Sequence, residues 1–267
     1  MACAYCSSEN PLGRSPASRV ASANTRRQAG QSKFSLSAGQ PSQQFPRAGT
    51  LAATLNVSLD ELRGALRGET GPTFCYVETS IKYGSDGFAQ EGSGPNFQGG
   101  SVTLCTCKHS MRSSRDVEEW PGAWIAGFAS VSLNPVEHMN QLAYLMKVVE
   151  AYPSQSHLWR ALSPAVREAK AADRDRLGDL YRPKDSLNDP FDPQCYEPPL
   201  PDHSHCYEWQ HDIDSIDYGR RPALLVGDQK LSFLWSQPLI ASSTSSAERL
   251  YQQTVSVHQK PANDLVG

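Results

Sequence analysis

The chain has no run of apolar residues near the length of about 18 that spans a bilayer, and its start lacks the apolar core of a secretory signal. No Walker loop, Rossmann glycine fingerprint, GxSxG elbow or HxE…PCxxC deaminase signature is present, which removes the commonest nucleotide-dependent enzymes. Charge is sparse, at 20% of residues, and no internal repeat is visible. The seven cysteines are odd in number and irregularly spaced, so a disulfide framework is not expected. Together these absences predict a soluble protein of a reducing, cytoplasmic compartment, with no membrane partner.

What remains is a polar, turn-rich chain of 267 residues with 19 Gly and 19 Pro, yet 39% apolar and 9% aromatic, enough for a sizeable core. Its charge is uneven. Residues 1–68 carry eight basic side chains against three acidic ones, a balance of +5, and a net charge of -3 overall therefore leaves the rest at -8. A net-negative body does not coat nucleic acid broadly, because that affinity comes from neutralising many phosphates. A pocket for one nucleotide remains open to it.

Composition divides the chain into four parts. Residues 1–49 are rich in Ser, Ala, Gln, Gly, Pro and Arg and too poor in bulky apolar groups to offset the entropy of ordering, so they are expected to be a disordered extension. The Cys3-x-x-Cys6 pair within them is half a zinc-ribbon spacing with no second half. Residues 50–72 are expected to form a short helical element: Leu51, Leu55, Leu59, Leu62 and Leu66 recur at helical spacing, Ser58 is a cap, and Asn56-Val57 is a hinge. This stretch resembles the last two helices of a repressor-type helix-turn-helix domain, but nothing before it supplies a recognition helix, and a packing helix is the better expectation. Residues 73–240 should be the globular body and 241–267 a flexible tail.

Within the body, β-branched and aromatic runs at 74–83, 101–107, 124–130, 142–149 and 222–226 predict strands. Ser163 as cap, Pro164 at the first helical position and Gly178 as a stop predict one helix over 164–177. The proline-rich stretch 183–204 predicts a long loop. The expected fold class is α+β: a small mixed sheet curled into a partly closed barrel, with one or two flanking helices.

Three groups of residues carry candidate chemistry. In the first, Gly99 and Gly100 permit a tight backbone or a close ligand approach before a strand, with Lys108 and Arg112 at its far end. Cys105 and Cys107 would share one face of that strand. A hairpin entry with both cations in solvent is the plain alternative. In the second, residues 160–184 hold seven basic side chains against four acids, including Lys170, Arg176, Asp179, Tyr181 and Arg182, as either a phosphate-facing patch or a solvated helix face. In the third, His203 and His205 precede His211, Asp212 and Asp214. Two imidazoles with a carboxylate suit a transition metal, although no closed zinc spacing is present and no metal site is assigned. The same His203, His205, His211 and Asp212 also suit acid–base catalysis, since histidine titrates near neutral pH.

Read in order, DGFA at 86–89, PNF at 95–97, GG-x-x-TL-x-x-CK at 99–108, Arg112, Trp124-Ile-x-Gly127, Tyr144-x-Met-Lys-Val, Lys170 and Gly178-Asp-x-Tyr181 resemble the nucleotide-modification-associated domains of phage and bacterial DNA-modification systems, the second type in particular. The likeness spans about residues 76–235, and it is carried by order and spacing rather than by one element. It implies a small barrel related to the PUA, ASCH and EVE readers of modified bases, acting on or beside a modified nucleotide. It also makes Lys108, Arg112, Lys170 and Asp179 candidates for a shared pocket. The insertion QEGSG at 90–94 departs from the pattern and lengthens the loop that should approach a ligand.

Two classes of function follow, and a third is a structural interaction module. As a reader of an extruded or single base, the chain would stack it on Trp124, Phe128, Tyr144 or Tyr181, neutralise phosphate with Lys108, Arg112 and Arg176, and read a polar edge with Asp179. Such stacking contributes about 1–3 kcal/mol per base. As a base-modifying transferase or hydrolase, it would use His203, His205, His211 and Asp212 as acid, base or metal ligands, with Lys108 or Lys170 holding an anionic substrate. No cofactor is identified from the sequence.

Overall fold

The computed structural model describes residues 43–46, 54–84, 87–90, 94–130, 139–172, 180–198, 209–237 and 241–243. The expectations for residues 1–42 and 244–267 lie outside these. Strands run at Gln43–Gln44 (β1), Thr73–Gly84 (β2), Gly87–Gln90 (β3), Thr103–Leu104 (β4), Trp124–Ser130 (β5), Met139–Tyr152 (β6), Leu224–Leu234 (β7) and Ala241–Ser243 (β8). Helices are Leu59–Ala65 (α1), His109–Arg112 (α2), Gln155–Ala161 (α3), Pro164–Ala171 (α4) and His211–Asp214 (α5).

The strands form one sheet in the order β1-β3-β2-β5-β6-β7-β4, with β8 against the first residues of β6. Neighbours are antiparallel except β2 and β5, a parallel pair whose crossover carries β3, β4 and α2. Register shifts in β2 between Glu78 and Lys82, opposite Gly127/Phe128 and along β6/β7 bend these long strands. The outcome is the expected α+β class, a curled half-barrel with few helices. Among the described residues no helix is long and apolar enough to cross a membrane.

Several elements differ from expectation. Over 54–58 the chain is not a helix: Leu55 bridges Leu234, Asn56 N–H donates to the Leu234 carbonyl, and Trp235 Nε1–H donates to the Val57 carbonyl. Sheet hydrogen bonds compete successfully with a weak leucine periodicity there. The helix proper, α1, starts after Ser58, which closes a reciprocal capping box with Glu61, and it seals the core with Leu62 and Leu66. The expected strand at 101–107 shrinks to β4, so Cys105 and Cys107 do not share a face. Cys105 packs with Leu158 and Leu180, whereas Cys107 joins the main core.

The helix α3, capped by Ser154, lay hidden between a strand and a proline. For α4, Ser163 and Pro164 act as expected at its start; residues 173–179, where the expected helix would have ended, lie outside the described ones. The proline-rich stretch is ordered where described, closed by a bridge between Pro183 and Tyr196.

The core is aromatic. Tyr76, Gly127 and Tyr144 stand in register across β2, β5 and β6. A Cβ at Gly127 would fall 2.0 Å from Tyr144 Cε1, so the glycine is what lets the Tyr144 ring lie across β5 toward Tyr76.

Candidate functional site

Two polar centres are buried in this apolar frame, and residues 107–112 connect them. Lys108 is the joint. It caps the start of α2 in the left-handed region, φ 61°, a conformation that costs a non-glycine residue about 1–3 kcal/mol and tends to persist at functional positions. Its effect is to send Lys108 one way and His109 the other.

On one side, the Lys108 ammonium lies 5.0 Å from the centre of the Tyr76 ring. The Tyr76 and Tyr144 hydroxyls share a short hydrogen bond. Burial above all, reinforced by the nearby Glu78 carboxyl, pushes both phenols well above their ordinary range, so both stay protonated. Glu78 is itself buried and accepts from the Ser80 N–H at 3.1 Å and the Ser80 hydroxyl at 2.8 Å.

On the other side, α2 meets α5. His109 Nε2 lies 3.0 Å from Asp212 Oδ1, and the Tyr181 hydroxyl donates to Asp212 Oδ2 at 2.8 Å. The His109–Asp212 approach has the distance of an ion pair without the alignment of a hydrogen bond, and His109 Nδ1 has no hydrogen-bond partner among the described residues. Burial pulls the His109 imidazole below its ordinary value; Asp212 opposes this, and Arg112 and His211 reinforce it. His109 is therefore neutral at pH 7. His211 is exposed, with its ring edge-on to His109 at 5.0 Å. Tyr181 rests against Trp209 at 5.5 Å, and Ser110 Oγ ties α2 to Asp217 at 2.8 Å.

The structure thus brings together three residues singled out from the sequence: Asp212 and His211 against His109, and Tyr181 against Asp212. It brings Lys108 and Tyr144 together through Tyr76. Arg112 stands between the centres with no exposed surface, its guanidinium donating to the carbonyls of Cys107 at 2.7 Å, Thr106 at 3.1 Å and Ala223 at 2.7 Å. That fork pins α2 to the start of β7. Lys170 is buried and donates to the carbonyls of Asn96 at 3.2 Å and Ser101 at 2.8 Å, holding closed the loop that contains Gly99 and Gly100. Trp124, Phe128 and Tyr144 are packed in the core and present no open face for stacking. Arg176, Asp179, His203 and His205 lie outside the described residues.

His109 had no signal of its own in the sequence. It is one residue of a basic run, and only the fold sets it against Asp212, about a hundred positions later. Among the described residues no three His, Cys, Asp or Glu side chains are grouped to hold a metal ion. The arrangement can do proton chemistry: a neutral imidazole with one nitrogen facing a carboxylate and the other available as an acceptor is the layout of an oriented general base. No protein-family model, no curated protein and no solved structure matches this chain.

Proposed function

We propose that the chain processes a nucleotide or an extruded nucleic-acid base by proton transfer, with His109 as general base and Asp212 as the carboxylate that orients it. The observation that carries the acid–base part is the buried contact of His109 with Asp212, held from behind by the Tyr181 hydroxyl. Placing that chemistry on a nucleotide in a DNA-modification setting rests on the ordered set of motifs between 86 and 181. A PUA- or EVE-like barrel working in the cytoplasm is the matching setting, and the curled half-barrel supports it. Of the two readings, enzyme and reader, the enzyme is favoured because Trp124 and Tyr144 are enclosed and the cations of Arg112 and Lys170 are engaged by backbone carbonyls.

The test is turnover. The full-length protein is incubated with deoxynucleoside mono- and triphosphates and with single-stranded DNA bearing modified bases, and the products are analysed by mass spectrometry. The expected result is a mass change with one substrate class that Asp212→Asn lowers at least 100-fold while the far-ultraviolet circular dichroism is unaltered. Binding of a base without any mass change, equal in wild type and Asp212→Asn, would return the chain to the reader class.

A further inference from the structure

We infer that the seam between α2 and α5 is a binding site for a water molecule that serves as the second reactant, which makes the reaction a hydrolysis. This rests on the acid–base reading for its chemistry but on separate atoms for its geometry. Among the described residues, the buried polar atoms there without a hydrogen-bond partner include His109 Nδ1, Ser113 Oγ and Ser215 Oγ. Ser113 follows His109 by four residues, and its N–H donates to the His109 carbonyl, so both side chains lie on the same face of α2. Ser215 follows His211 by four residues, and its N–H donates to the His211 carbonyl, so it lies on the face of α5 that carries His211. The two faces meet, because His109 touches both Asp212 and His211.

Thr54 Oγ1 in the chain before α1 and Trp124 Nε1 in β5 are also buried without a partner among the described residues, but each lies away from the His109–Asp212 contact. At this seam, two hydroxyls and an imidazole nitrogen are carried by turns that meet beside the Asp212 carboxylate. Buried polar atoms of this kind are ordinarily satisfied by ordered water, which makes two to four hydrogen bonds at such places. The ligand class follows from the donor set. With Nε2 facing the Asp212 carboxylate, Nε2 carries the proton and Nδ1 is an acceptor; each serine hydroxyl can donate or accept. A small molecule that both donates and accepts completes all three, and water is the smallest that does.

The step balances without a further reagent. His109 Nδ1 takes one proton from the water as the water oxygen forms its bond to the electrophilic centre of the substrate. The bond to the leaving group then breaks with its electron pair, and the proton on Nδ1 passes to the leaving group.

The test uses the full-length protein with isotopically labelled histidine. Water-to-ring magnetisation transfer at His109 is measured in wild type and in the double variant Ser113→Ala/Ser215→Ala, whose fold is checked by circular dichroism. The expected result is a long-lived water contact at the His109 ring that falls at least threefold in the double variant. A His109 ring with no water contact in wild type, or one with a contact unchanged in the double variant, overturns the inference even if turnover still requires Asp212. A contact that behaves as expected supports the water site even if no nucleotide is turned over, in which case the proposed function is what fails. Where turnover is found, product oxygen drawn from labelled water supports the reactant role, and turnover without label overturns it.

Discussion

At the scale of single residues, His109 and the Tyr76–Tyr144 pair make measurable claims about protons. The folded value of His109 is depressed from 6.5, the ordinary imidazole value, so below about pH 6.5 the unfolded chain takes up a proton that the folded chain refuses. Its contribution to stability is therefore complete above that value and is lost as the pH falls toward the folded one, with a slope of at most about 1.4 kcal/mol per pH unit. Denaturant melts between pH 7.5 and 5 should show wild-type stability declining and His109→Gln declining less steeply; parallel curves would contradict this. The tyrosines lend themselves to a double-mutant cycle. Tyr144→Phe strands the buried Tyr76 hydroxyl and is expected to cost about 1–3 kcal/mol, whereas adding Tyr76→Phe should recover part of that loss rather than add to it. Simple additivity in urea melts would show that the two hydroxyls do not depend on each other. Gly127→Ala is expected to cost roughly 3 kcal/mol, because the new methyl group meets the Tyr144 ring rather than a movable chain end.

At the scale of elements, legibility followed the range of the forces involved. Local signals read correctly: Ser58 with Glu61 at the start of α1, Ser163 with Pro164 at the start of α4, and the β-branched and aromatic runs of β2, β5 and β6. Non-local hydrogen bonding decided the misreadings. Residues 55–57 have leucine spacing but pair with the end of β7, and the 101–107 run keeps only two residues of strand before Lys108 turns left-handed and starts α2. The same cause hid part of the site. Arg112 reads from sequence as a phosphate ligand, yet its flat fork serves three carbonyls on two separate stretches of chain, which no spacing rule reveals. Arg112→Lys keeps the charge but loses the fork and should therefore destabilise by about 2–4 kcal/mol in urea melts; a loss under 0.5 kcal/mol would mean that α2 is held some other way.

At the scale of the whole molecule, the curled sheet explains why two polar centres sit so near each other along the chain yet face different ways. The parallel pairing of β2 with β5 forces a long crossover, and that crossover sets Lys108 against Tyr76 and His109 against Asp212 of α5. Individual site residues could be named from their type, Tyr181, His211 and Asp212 among them. The partner of His211 and Asp212 could not, since His109 is joined to them only by tertiary packing. The proton chemistry of the site depends on the state of that imidazole, and nitrogen-15 magnetic resonance of histidine-labelled full-length protein at pH 7 measures it directly. The predicted spectrum shows His109 neutral, with the proton on Nε2 and Nδ1 unprotonated, and shows that preference lost in Asp212→Asn. A doubly protonated ring, or a proton resident on Nδ1, would contradict it.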